Sequence, residues 1–294
     1  MSIYLCFKFK LIYMKKLTSI SLTIILSLGL FWGCEKKETT PVLPPAASMS
    51  IDFSNFVTSK KSAVFNGGVN NITVADNSNW TLAATLAGVW NTILAVNLAV
   101  PVASFSIAVN KTPVSLANNT WQWSYNFNVI GAVFKARLTG QVRTTDVKWE
   151  MYISREGVGA FDELLWYQGT SNLDGKSGQW ILNHSQQFPE PMLQIDWSAT
   201  GSDIANIKYT YIRDLKDDRT ADLFKNSSIE YGLTSATLNA FYNIHQNTGV
   251  ANVYNDVFIE WSTTDHNGHI KSNNYFQDDL WHCWDGTGNN VTCN

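Results

Sequence analysis

Trp121-Gln122-Trp123-Ser124-Tyr125-Asn126-Phe127-Asn128-Val129 decides the fold: every odd position is large and apolar, and every even one is polar. A period of two is that of a strand with one buried face. The pattern returns downstream. Phe134, Ala136, Leu138 and Val142 alternate against Lys135, Arg137 and Thr139, and Val147, Trp149, Met151 and Ile153 against Lys148, Glu150 and Tyr152. Further strand-like runs fall at residues 164–169, 179–184, 193–199, 206–213, 229–233, 237–245 and 257–263. Asp174-Gly175 and Asn267-Gly268 separate such runs and signal hairpins, because both central residues of a type I′ turn need positive φ. About ten antiparallel strands in succession make a sheet too wide to stay flat, so a half-barrel or barrel is expected.

One segment breaks the period of two. Over residues 80–99, Leu82, Leu86, Val89, Ile93 and Val96 form one helical stripe, and Trp80, Ala83, Ala87, Trp90 and Leu94 form the next. Asn77 and Ser78 offer N-cap oxygens, and Pro101 is expected to stop the helix. Phe105-Ser106-Ile107-Ala108-Val109 then alternates as a strand would. A helix this apolar is either enclosed or inserted in lipid. Asn91, Asn97, Thr81, Thr85 and Thr92 would carry polar groups into a bilayer, so the helix is expected to fill the concave side of the sheet. The fold class read from these patterns is mainly β: one domain over residues 49–294, a large curved antiparallel meander packed on one long apolar helix.

Ahead of that domain, Met14-Lys15-Lys16 precedes an apolar run over residues 17–32 and then Gly33-Cys34. Basic start, short apolar core and small residue are the parts of an export signal. Leu30-Phe31-Trp32-Gly33-Cys34 resembles the lipobox of bacterial lipoproteins, and the resemblance implies cleavage before Cys34, acylation of that cysteine and residence in the cell envelope. Glu35 is not the aspartate that favours the inner membrane in such proteins, so the outer membrane is the implied site, on either face. Residues 1–13, Cys6 among them, read as an extension upstream of the true start, and residues 14–33 as the signal peptide. Residues 34–48 mix charge and proline without an apolar period and are expected to form a solvated tether. In layout alone, anchor plus strand-rich body resembles the unclosed-barrel lipoprotein carriers of bacterial envelopes, which hold acyl chains between a curved sheet and helices. No motif residue of those carriers is matched here.

Four of the 21 Lys and Arg fall in residues 1–33, where there is no acidic residue, so residues 34–294 carry a formal charge of −7. That balance argues against nucleic acid and against a basic lipid-headgroup surface. Cys283 and Cys293 bracket a turn-rich stretch and are expected to pair in an oxidising compartment; a zinc site built on them and His282 lacks a fourth ligand. The chain has no GxSxG elbow, HExxH, P-loop or dinucleotide-binding glycine pattern. No cofactor or catalytic residue is therefore assigned. His184, His245, His266, His269 and His282 are scattered, and His266 and His269 read as a solvated hairpin tip. Asp214-Leu215-Lys216-Asp217-Asp218-Arg219 lacks EF-hand spacing and reads as a solvated loop. Asp196, Glu260 and Glu150 take outward positions of alternating strands.

Twelve tryptophans are the remaining clue. Alternation puts Trp121, Trp123, Trp149, Trp197 and Trp261 on the apolar face. A residual cavity between that face and the helix, lined by Trp90, Trp121, Trp123, Trp149 and Trp197, is the expected ligand site. The function expected from these readings is a non-enzymatic binding domain for an apolar or amphipathic ligand. The alternatives are a glycan-binding, adhesion or structural interaction module, which needs exposed coplanar aromatics, and a motif-less hydrolase, which needs carboxylates converging in a cleft.

Overall fold

A computed structural model of the chain describes residues 39–51, 53–56, 78–201 and 203–293. The compact unit Thr40–Asn294 holds every element named below. Cys34 and residues 14–33, read above as an export signal, lie outside the described residues.

Fourteen antiparallel strands form one sheet in strict chain order. They are β1 (Val114–Ser115), β2 (Thr120–Val129), β3 (Ala132–Val142), β4 (Asp146–Arg155), β5 (Phe161–Asn172), β6 (Ser177–Asn183) and β7 (Pro191–Thr200), followed by β8 (Asp203–Tyr211), β9 (Ser228–Leu233), β10 (Ala240–Asn247), β11 (Tyr254–Trp261), β12 (Gly268–Lys271), β13 (His282–Trp284) and β14 (Asn290–Val291). The ten runs read from the sequence correspond to β2 through β11. No ladder joins β1 to β14 among the described residues, so the sheet is not closed.

One long helix, α1 (Asn79–Ala108), packs against the sheet. At its start Ser78 accepts a hydrogen bond from the Thr81 amide at 3.2 Å, the expected cap. Asn79 reaches the far edge of the sheet, donating through Nδ2 to the Cys283 carbonyl at 2.9 Å. Near the other end Ser104 meets side chains rooted three strands apart: its carbonyl accepts from the Tyr125 hydroxyl at 2.5 Å, and its Oγ lies 3.4 Å from the Tyr167 hydroxyl. Neighbouring strands sit about 4.8 Å apart, so tyrosines on β2 and β5 converge on one serine because the sheet curls inward.

The helix is longer than its expected span. Pro101 lies inside it rather than ending it, and residues 105–108 are helical rather than extended. Leu98, Pro101, Ser104, Phe105 and Ala108 are all buried at spacings of three and four. The packing of that face outweighs the single backbone hydrogen bond and the ring clash that an interior proline costs.

The tether reading also needs correction over residues 41–48. Pro41 and Pro44 are buried, Ala46–Met49 forms a 3₁₀ turn, and Met49 is fully enclosed. Trp180 Nε1 donates to Ser48 Oγ at 3.2 Å, and the Tyr209 hydroxyl donates to the Met49 carbonyl at 3.0 Å. The segment is a strap across the inner side of the sheet, where two buried polar groups would otherwise lack partners. A second 3₁₀ turn, Phe53–Phe56, continues it; Phe56 stands edge-on to Trp261 with ring centroids 4.8 Å apart.

Glycines set how the sheet is filled. Cross-strand register aligns Trp121, Gly140, Trp149, Gly169 and Trp180 in one row over β2 to β6. A Cβ on Gly140 would stand 2.4 Å from the Trp149 ring, and one on Gly169 would stand 2.6 Å from the Trp180 ring. Each indole therefore lies across the bare backbone of the strand beside it, an arrangement that recurs at Gly178 with Trp197 and at Gly268 with Trp284. Missing side chains on one strand are replaced by oversized ones on the next.

Both expected hairpin signals lie at turns, in altered form. Asp174-Gly175 sits in the β5–β6 connection, but only Gly175 has positive φ. Asn267-Gly268 straddles the start of β12, and the left-handed residue there is His266, φ 60°. A true two-residue type I′ turn occurs at Ile130-Gly131, with φ of 50° and 70°. Ile130 is β-branched and 81% exposed. It carries the left-handed penalty with little packing in return. Ile130→Asn is expected to raise stability by about 1 kcal/mol, checked by thermal unfolding of the two proteins side by side.

Candidate functional site

The five tryptophans named from the sequence are not among the described residues that line the groove found beside the helix. Trp90, Trp123, Trp149 and Trp197 are buried in the core, and Trp121 is half-buried against it. Trp123 and Trp149 lie against each other with ring centroids 5.8 Å apart, and Trp149 Nε1 donates to Ser171 Oγ at 2.9 Å. The parity that put these rings inside is as the sequence indicated. Between them and α1 lie the indoles over glycines, the strap and Phe105, which stands edge-on to Trp180 at 5.2 Å.

A groove among the described residues lies beside α1. About 340 Å³ in volume, it is lined by Asn91, Leu94, Ala95, Leu98, Ala99, Val102 and Ala103 of the helix, by Ser50, Ile51 and Phe53 of the strap, and by Tyr209 of β8. Alanines at 95, 99 and 103 recur every fourth residue, so they share a face and keep that flank of the helix low, while Leu94, Leu98 and Val102 stand beside it. Tyr209 contributes ring surface, its hydroxyl being committed to Met49; burial pushes its phenol well above the ordinary range, so it stays neutral. Among the described residues, the walls carry no ionisable side chain except this phenol. Such a groove takes hydrocarbon, with Asn91 and Ser50 as its hydrogen-bonding groups. The run of alanines on a helix otherwise rich in branched residues was the sequence signal for it; the strap's contribution had none.

Charged chemistry gathers at the opposite kind of site, in the loops after β6 and β8. Arg213 is buried and pairs with Asp217, its Nε lying 3.7 Å from Glu190 Oε1. Glu190 also pairs with Arg219 at 3.2 Å, His184 Nε2 lies 3.1 Å from Asp217, and the Tyr211 hydroxyl donates to Asp222 at 2.9 Å. The stretch 214–219 is exposed throughout, as a solvated loop should be, and also forms one half of an ionic clasp between two loops. Hydrogen bonding from Arg213 holds the Asp217 carboxyl below its usual range. Burial pushes Tyr211 up to about 12, with Asp222 adding to the effect. Asp278 and Asp285 are likewise held down, by hydrogen bonds from His282 and Thr287 respectively. These shifts fix charge states and run away from the near-neutral values that general acids and bases use. Groups of three or more metal-ligating side chains are absent among the described residues.

The remaining polar residues sit as the strand period indicated. Asp196 points outward and accepts from Gln179 and Gln194, each at 2.7 Å. His269 is not a solvated tip. It stacks on Trp281 at 3.8 Å and lies 2.9 Å from Glu260, so one face of that tryptophan is already covered.

Cys283 and Cys293 form the expected pair, with Cα atoms 5.3 Å apart and ten residues of separation. The bond ties the last described residues to β13, beside the helix cap: Asn290 Oδ1 accepts from the Asn79 amide at 2.7 Å. Replacing both cysteines by serine is expected to lower stability by about 3 kcal/mol, the chain-entropy value for a loop this short. Equal melting temperatures for the wild type and the double serine variant under oxidising conditions would contradict it.

No family model, no curated protein and no solved structure matches this chain.

Proposed function

We propose that this chain is a lipid-anchored protein of the bacterial cell envelope, exported through residues 14–33, acylated at Cys34 and held at the outer membrane, and that its folded domain binds an apolar or amphipathic ligand without catalysing a reaction. The observation that carries the ligand reading is the groove beside α1, about 340 Å³ in volume and, among the described residues, walled almost entirely by apolar side chains. Its size falls in the range of small-molecule sites, and the apolar character of its described walls suits an acyl or similar hydrocarbon group rather than a sugar. The disulfide Cys283–Cys293 fits an oxidising compartment, and the resemblance of Leu30 to Cys34 to a lipobox supplies the anchor. Fluorescence titration with a conjugated fatty-acid probe tests the site. The wild type is expected to bind it saturably, and Ala99→Trp, which fills the groove from the helix side, to weaken binding by about tenfold or more. Equal affinity in the two proteins would overturn the groove as the site.

A further inference from the structure

α1 contains no Asp, Glu, Lys or Arg in its 30 residues, yet only 13 of them are buried. By length and composition it is apolar enough to cross a membrane, but one side is committed to the core, so it does not do so as a free span. Its other side is unusual for a helix facing water. Val89, Ile93 and Val96 repeat at spacings of four and three and are half-buried or exposed, with Val96 at 75%. A water-facing stripe normally carries charge. This one carries valine and isoleucine, flanked by exposed Asn91 and Thr92.

We propose that this outward face of α1 rests in the interfacial layer of the bilayer that anchors the protein, and that the groove's ligand is a lipid acyl chain drawn from it. The proposal rests on the lipid-anchor reading above. Chain length supports the geometry: six residues separate Cys34 from buried Pro41, and a fully extended chain over that interval covers about 24 Å at most. The strap that follows lies on the side of the sheet where α1 lies, since Leu43, Met49, Ile51 and Phe53 join the same core as the helix. That extended length is the most that separates an acylated Cys34 from Pro41. The face has no cation for anionic headgroups, so contact comes from apolar burial and is indifferent to lipid charge. The groove shares α1 with this face through Asn91, Ala95 and Ala99, which places its opening next to the acyl region.

The test uses the full-length protein purified from membranes and reconstituted in phosphatidylcholine vesicles. A benzophenone amino acid replaces Val96, or replaces Asn126, an exposed residue on the outer face of β2, as control. Mass spectrometry of the irradiated protein then reads lipid adducts at the substituted position and acylation of the Cys34 peptide. The expected result is an acylated Cys34 with lipid adducts about tenfold or more commoner at 96 than at 126. An acylated Cys34 with no excess at 96, or adducts at 96 to protein in place of lipid, overturns the bilayer contact while leaving the anchor intact. An unacylated Cys34 overturns the anchor and the contact together.

Discussion

Gly169→Ala should destabilise this protein by about 3 kcal/mol, the upper part of the range for overpacking a tight interior. The added methyl would stand 2.2 Å from the Gln179 carbonyl oxygen and 2.6 Å from the Trp180 ring. That oxygen belongs to the backbone of β6, so relief requires separating two paired strands. Gly140→Ala differs in an instructive way. Its three nearest neighbours are all atoms of the Trp149 ring, at 2.4, 2.9 and 3.0 Å, whereas at Gly169 the nearest is a backbone oxygen. In a Trp149→Leu background Gly140→Ala is therefore expected to be nearly neutral, within about 0.5 kcal/mol, whereas Gly169→Ala stays costly in a Trp180→Leu background. Denaturant unfolding of the two double-mutant cycles measures both. Similar costs for Gly140→Ala with and without the indole would mean that the glycine–tryptophan pairing does not explain the filled interior.

Phe105→Ala has the next largest expected effect, about 3 to 5 kcal/mol, as for other fully buried aromatics. Phe105 lies beyond Pro101, is wholly enclosed and meets Trp180 of β6 edge-on. It is the residue through which the second half of α1 grips the middle of the sheet. Val96→Ala, on the exposed side of the same helix, should change stability by less than about 0.5 kcal/mol. Comparable losses for the two substitutions would contradict the orientation of the helix.

The sheet was readable from sequence where strands were long enough to show their period. Residues 121–129, alternating without a break, become β2; the short pieces β1, β12, β13 and β14 hold two to four residues each, too few for alternation to appear. Pro101 misled because its intrinsic preference is a local quantity, while the buried stripe from Leu98 to Ala108 acts over three turns. The tryptophan parity was right, but parity alone does not set how much space the rings leave. Whether a large inward ring leaves a cavity depends on what stands opposite it, and Gly140, Gly169, Gly178 and Gly268 stand opposite. Glycines inside strands are themselves a sign of close backbone approach. The groove escaped because it forms between a helix face, a proline-rich strap and one tyrosine on β8, elements that no single periodicity connects.

The central claim is that the groove beside α1 holds a hydrocarbon ligand, and native mass spectrometry with lipid extraction, applied to full-length protein purified from membranes, tests it most directly. The account predicts a stoichiometric noncovalent acyl ligand in the wild type and its loss in Ala99→Trp. A wild-type mass equal to that of the processed polypeptide and its covalent anchor alone would contradict it.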